Sequence, residues 1–440
     1  MNTSADSNMV SRLFRTLNAT HVAIGCCFIW YIVFSYFRPS PFVDESVHQD
    51  AIIGIHEGKI DFSGFPSLPA ARNVGYGPWA GYHWTIAIIS RLPGPSVSLS
   101  RFLTFVTSAA MIALYASVPW QQSGLRTSRS PLLLALLPIL FPYTAMVYTD
   151  VLALFFIIGA IYLHAKISYA LAAISMLLAC LVRQTNILWV LYIVARSALG
   201  TWDLCKKESA LANSHFWSVW VRHLLPQVLG YIVVIGLVVT LFISSGQILT
   251  SGFSENRAQP NSGNFYTLAF FALMLWAPIW FERAGNDVRS IVFAARRMPV
   301  RVGFLALILA AFGFMLISRY DNWHPWNWTP MALRNIPLIL MDRYVLFRVI
   351  AVTCVFFAVW FVARFWSSQS NNSDLILLAF FAFLFLSAHP VVEPRYLIVP
   401  FVLSHFFVDY SNAQVTKLAL WYISINVIIC ILIASGLAIW

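Results

Sequence analysis

The chain has 440 residues, 60% of them hydrophobic and only 10% charged, with a net charge of +11. Soluble domains carry roughly 45–50% apolar and about 25% charged residues, so no water-surrounded core could absorb this excess. Together with a mean hydropathy of +0.74, the figures predict an all-α polytopic membrane protein and exclude an ordinary soluble enzyme.

The first 19 residues are polar, carry Arg12 and Arg15, and are expected to form a cytoplasmic tail. The apolar run 20–38 lacks a small-residue cleavage site and reads as a first span, not a removed signal peptide. Pro39 and Pro41 end it. The chain then presents Asp44, Glu45, His48 and Asp50 at once, in "VDESVHQD". If this stretch is helical, Asp44 and His48 share a face and Glu45 points elsewhere. The run 79–90 sits between Pro78 and Pro93, carries His83 and is too short to span, so a helix at the interface is expected.

Spans are expected at 99–119, 131–147 and 150–165, with Asp150 of "YTDVLA" at the start of the last. The apolar stretch 168–199 is cut by Arg183, Gln184, Thr185 and Asn186 and reads as two short spans around a tight turn. Further spans are expected at 224–245, 264–282, 301–318, 345–365, 373–388, 395–410 and 417–438, about 13 in all. Between them lie "GQILTSGFSENRAQPNSGN", then "RYDNWHPWNW" and "MDRY" with Asp342 and Arg343, then "AHPVVEPRY" with Glu393 and Arg395.

No repeat or low-complexity segment divides the chain. It reads as one membrane domain over 1–440, with the tail 1–19, the acid-bearing first loop 39–98, a core over 99–245 and C-terminal helices over 246–438. With the tail inside, the loops 120–130, 196–223 and 283–300 face the cytoplasm and hold Arg126, Arg129, Lys206, Lys207, Arg222, Arg283, Arg289, Arg296 and Arg297, as the positive-inside rule asks. The acids, arginines and histidines singled out above then share the opposite face. Ionisable groups at membrane depth persist when they line a cavity or face one another. The scattered basic residues are no nucleic-acid footprint. The six cysteines have neither metal spacing nor a disulfide framework and read as small hydrophobes.

"VDESVH" after the first span, "YTDVLALFF", "LVRQTNILWVLY" and "EPRYLIVPF" resemble the signatures of the dolichyl-phosphate-glucose-dependent α-1,2-glucosyltransferase family of N-glycan precursor assembly, of the GT-C class. The resemblance implies a GT-C-type bundle that moves glucose from a dolichyl or polyprenyl phosphate to a lipid-linked glycan on the non-cytoplasmic face. The membrane would be the endoplasmic reticulum in a eukaryote and the inner membrane in a bacterium. No cofactor is expected, and a divalent cation has weak support. Inversion in one displacement needs a general base near the attacking hydroxyl, and cationic donors for the departing phosphate.

Asp44 suits the base, with Glu45 and His48 placed to orient or tune it. Arg183 and Arg395 suit the phosphate. Asp150, Gln184, Asn186, Asp342, Arg343 and Glu393 are the other substrate-binding candidates. Structural alternatives stand beside these: Asp150 as an N-cap, Arg183 as a snorkelling residue, Arg395 paired to Glu393. Two other functions stay open. One is transfer of another hexose to a cell-envelope acceptor; the other is a lipid or sugar transporter, although the sequence has no inverted repeat.

Overall fold

The computed structural model describes residues 3–42, 44–59, 81–118, 131–208, 216–245, 261–318, 320, 322, 325–328, 335–369, 372–387, 389 and 391–435. The loop 120–130, most of the loop 246–263 and the middle of the first loop lie outside these. Seventeen α-helices and several 3-10 turns make up the described residues, with no strand among them. Six helices are long and apolar enough to cross a membrane: α1 (Thr3–Phe37), α4 (Val97–Ser117), α8 (Ile187–Glu208), α9 (Phe216–Ser245), α14 (Val345–Ser367) and α17 (Asn412–Ala434). Shorter apolar helices are α6 (Thr149–Ala165), α7 (Tyr169–Val182), α15 (Asn372–Ser387) and the second half of α12 (Pro299–Ser318). Their outer faces expose Leu307, Phe314 and Ile376. Such apolar exterior fits a hydrocarbon solvent and not water.

Two predicted spans are not single helices. The run 131–147 contains Pro138 and Pro142, each of which removes a helix donor and clashes with the preceding turn. The chain forms only α5 (Pro131–Ala135), then turns, then a 3-10 turn at Phe141–Thr144. Nearly every residue of it is buried. Its freed carbonyls are met from three neighbouring helices. Trp30 Nε1 of α1 donates to Pro142 O at 3.2 Å, Ser108 Oγ of α4 to Thr144 O at 3.0 Å, and Asn426 Nδ2 of α17 to Leu136 O at 2.8 Å. Irregular backbone at membrane depth survives only when enclosed in this way.

The run 264–282 also divides. α10 (Gly263–Leu275) and α11 (Ala277–Arg297) meet at Trp276 with an 88° bend, which can be a broken span or a re-entrant turn. The basic stretch 283–297, expected as loop, is therefore helical. The run 395–410 shortens to a 3-10 turn at Pro394–Leu397 and the ten-residue α16 (Ile398–Phe407). α13 (Asn335–Arg343) is a helix where a loop was expected. The stretch 168–199 does split around a 3-10 turn at Gln184–Asn186, but α8 is full-length. The run 79–90 contains α3 (Gly81–Ile89), nine residues long. α3 lies so close to the end of α7 that a Cβ on Gly81 would sit 2.7 Å from the Leu181 carbonyl oxygen.

α2 (Glu45–His56) starts where the prolines release the chain. Arg38 anchors this exit by donating to Ile433 O through Nε at 3.0 Å and Nη2 at 2.7 Å. One residue into α2, Glu45 is fully buried and forms a two-pronged pair with Arg101 of α4, at 3.0 Å and 2.5 Å. Its carboxylate also accepts from Phe42 N at 2.9 Å and Val147 N at 2.8 Å. Arg101 donates onward to Arg38 O and, at 3.0 Å, to Ser40 O. Removing one partner of a buried pair leaves an uncompensated charge, which costs about 3–5 kcal/mol. Glu45→Gln is therefore expected to lower the unfolding temperature of the detergent-purified protein markedly, while Asp44→Asn leaves it near wild type. An unchanged midpoint for Glu45→Gln would refute this account of the pair.

Candidate active site

Four polar stretches converge at one end of the bundle: the start of α2, the entry to α6, the turn between α7 and α8, and the loop between α15 and α16. They bring together Asp44, Glu45, His48, Asp150, Arg183, Glu393 and Arg395. Adjacent Asp44 and Glu45 face opposite ways: the Asp44 side chain is 50% exposed and that of Glu45 is fully buried. Asp44 occupies the N-cap of α2, yet its carboxylate makes no capping bond. It lies 4.0 Å from Arg395 Nη2.

The two arginines are held by acids and aromatic faces. Arg183 turns inward and pairs with Asp150, so it is not a snorkelling residue. Asp150 lies in the first turn of α6, whose N-cap is Tyr148, and spends its Oδ1 on Arg183 and not on a cap. Arg395 pairs with Glu393 through Nε and with Asp44 through Nη2, so the structural pair and the contact to Asp44 coexist. Tyr396 has Arg183 Cζ 5.5 Å and Arg395 Cζ 5.8 Å from its ring centre. Tyr148 holds Arg395 Cζ at 5.5 Å, and His389 stacks on Tyr396 at 4.0 Å. Cation–π contacts and ion pairs thus fix both guanidinium groups in place.

Electrostatics follow from this packing. Burial pushes His389 down to about 3, with Arg183 adding to the effect, so its ring is neutral. Burial alone would lower Arg395, but Glu393, Tyr396, Asp150 and Asp44 hold it well above its ordinary value. His48 does not turn to Asp44. Its ring meets His83, Tyr82 and Tyr148.

The remaining candidates have other settings. Asn186 Nδ2 donates to Ala179 O at 2.8 Å and closes the end of α7, while Gln184 is half-buried beside Arg183. Asp342 and Arg343 end α13, which packs on α14 and on the 3-10 turn Pro325–Trp328. There the Asp342 carbonyl accepts from Arg348 at 2.8 Å. Among the described residues no group of three or more His, Cys, Asp and Glu is arranged to hold a metal ion.

Several contributors went unnoticed in the sequence. Arg101 had a signal, an arginine just inside an apolar helix. Tyr148 and Tyr396, next to or near chosen residues, had none of their own. Nor did the buried asparagines that join three loops. Asn264 Nδ2 donates to His389 O at 2.8 Å, Asn327 Nδ2 to Asn322 Oδ1 at 2.7 Å, and Val392 N to Asn327 Oδ1 at 3.1 Å, setting the backbone just before Glu393. An apolar groove of about 430 Å³ runs between α10, α14, α15 and α16, lined among others by Phe265, Val359, Phe383 and Phe401.

Known proteins share this sequence pattern. A Dol-P-Glc:Glc(2)Man(9)GlcNAc(2)-PP-Dol alpha-1,2-glucosyltransferase from Kluyveromyces lactis is 23% identical over 87% of this chain and 76% of its own length. Proteins of the same name from Rattus norvegicus and Mus musculus are 21% and 22% identical, over 87% of either chain in each comparison. The sequence profile of the DIE2/ALG10 family matches residues 82–406. That match runs from α3 to α16 and takes in Asp150, Arg183, Glu393 and Arg395, so the chain belongs to the DIE2/ALG10 family.

Proposed function

We propose that this protein is a dolichyl-phosphate-glucose-dependent α-1,2-glucosyltransferase that adds glucose to a lipid-linked oligosaccharide on the non-cytoplasmic face. Membership of the family supports the activity. The observation that carries the mechanism is the half-exposed Asp44 carboxylate, 4.0 Å from Arg395 in a nest with Arg183. The host membrane is the endoplasmic reticulum in a eukaryote. About 13 crossings, with α3 at the interface and the nest outside, remain our reading of the topology. It rests on the basic clusters at the other ends of the spans.

In this reading Asp44 is the general base. It takes the proton of the acceptor hydroxyl as that oxygen attacks the anomeric carbon and the sugar–phosphate bond breaks. Arg183 and Arg395 receive the charge that collects on the departing phosphate. Asp150 and Glu393 keep the arginines oriented. Glu45 supports the fold through Arg101. The apolar groove between α10, α14, α15 and α16 suits the polyprenyl tail, and Asp342 and Arg343, at the end of α13, suit the acceptor side.

Three outcomes follow. In a cysteine-free background, Ser128→Cys and Ser290→Cys should both label only from the cytoplasmic side; labelling of either from outside would overturn the topology. Asp44→Asn keeps size but cannot take a proton, and general-base assistance is worth roughly 10²–10⁴-fold. Transfer from a short-chain polyprenyl-phosphate glucose should fall at least about 100-fold with donor binding retained. Near-normal turnover would move the base elsewhere, and lost donor binding would make Asp44 a ligand-holding residue. Activity should survive EDTA; a loss that Mn²⁺ or Mg²⁺ restores would instead turn Asp150 and His48 into ligands.

A further inference from the structure

His48 and His83 form a pair that the mechanism above does not use. His48 is one turn beyond Asp44 on α2, but its Nδ1 lies 2.9 Å from His83 Nε2 on α3. The rings stack at 5.1 Å with 24° between their planes. Two imidazole nitrogens at that distance share one proton, so one donates and the other accepts. This leaves His48 Nε2 as the nitrogen that can meet a ligand. The His48 ring also touches Tyr148 edge-on at 5.1 Å, the same ring that holds Arg395 Cζ at 5.5 Å.

Resting on the transferase reading above, we propose that His48 is a third donor to the phosphate of the lipid-linked sugar, beside Arg395 and Arg183, and that His83 is the positioning residue that fixes its ring. The charge pattern supports this. Burial, then His83, then Arg395 and Arg183 hold His48 well below its ordinary value, and burial brings His83 down to about 4. The pair is neutral while the site is empty of anions. The acids around it are committed to cations: Glu45 to Arg101, Asp150 to Arg183, Glu393 to Arg395, with Asp44 near Arg395. Tyr82 and Tyr148 complete the wall, and burial keeps both phenols protonated.

A phosphodiester between the arginines offsets the two cations that hold His48 neutral and offers it an acceptor oxygen. Binding then draws one proton onto the pair. During transfer the sugar–phosphate bond breaks with its electron pair on the phosphate, the acceptor oxygen bonds to the anomeric carbon, and the hydroxyl proton goes to Asp44. His48 keeps its proton and hydrogen-bonds the departing phosphate, which then carries two negative charges.

Because His48 is neutral alone and protonated with the anion, the donor should bind more tightly as pH falls. The test is binding of a short-chain polyprenyl-phosphate glucose to the full chain in detergent. That phosphodiester does not ionise over the range, so any slope belongs to the protein. Between about pH 8 and about pH 6 the wild type should tighten about threefold or more. Buried neutral histidines lose folding stability as pH drops below their ordinary value, so thermal unfolding is recorded at each point. His48→Gln should bind more weakly with no slope. His83→Phe keeps a stacked ring without the nitrogen and should also flatten the slope. Wild-type binding independent of pH, or a slope that persists in His48→Gln, overturns the proposal. A slope that persists in His83→Phe overturns the part given to His83. No binding at any pH overturns the transferase reading itself, a result distinct from pH-independent binding.

Discussion

Everything at the polar end of the bundle depends on one buried ion pair, Glu45 with Arg101. The chain leaves α1 through two prolines and must begin α2 in a defined direction. Glu45 sets that direction by holding the Phe42 and Val147 amides, while Arg101 holds the Arg38 and Ser40 carbonyls. Four backbone groups, three of them in the 38–42 exit, are thereby tied to one charge pair at 0% and 1% side-chain exposure. Both charges are saturated with bonds, the condition under which burial of an ion pair is tolerated. With Glu45 committed inward, helical geometry turns Asp44 outward. The carboxylate left half-exposed is the one outside this pair.

The same economy governs the segment from Pro131 to Tyr148. It carries the chain through the buried middle of the bundle without completing a helix. Three side chains from α1, α4 and α17 answer carbonyls that would otherwise be orphaned away from water. The segment ends at Val147, whose amide is bound by Glu45, and at Tyr148, whose ring holds Arg395. Core packing and site geometry are therefore continuous: the 3-10 turn that Trp30 and Ser108 secure leads directly into the residues that orient an arginine.

Much of this was legible in the sequence, for physical reasons. The membrane class follows from composition, and α2 from two prolines ahead of an acidic stretch. Asp44, Asp150, Arg183 and Arg395 could be grouped because ionisable groups beside long apolar runs need one another. The division of labour between Asp44 and Glu45 was only half legible, since it depends on Arg101, 56 positions away. Hydropathy read 131–147 and 264–282 as spans because it counts apolar side chains and is blind to backbone hydrogen bonds. Pro138 and Pro142 were visible, but not the partners that make their disruption affordable. Asn264, Asn322 and Asn327 look like ordinary loop residues until folding buries them. Asp342 and Arg343 drew notice as charges on the expected face, and structure assigns them to α13, against α14.

The charge arrangement bears on how a lipid phosphate would be met. Long side chains normally lose rotamer entropy when they grip a ligand. Arg183 and Arg395 are already held, by Asp150 and Glu393 on one side and by Tyr396 and Tyr148 on the other. Three carboxylates, with Asp44, face two guanidinium groups before any anion arrives. An arriving phosphodiester must share those cations with acids that do not leave. Its net attraction is accordingly moderate in the ground state. In the proposed mechanism the phosphate gains negative charge as the sugar–phosphate bond breaks, and Asp44 becomes neutral by taking the acceptor proton. The proton removes one competitor for Arg395 at the moment the phosphate needs it most. A fixed cation with a competing base as neighbour therefore favours the transition state over the bound substrate, which is the condition for raising turnover instead of affinity alone.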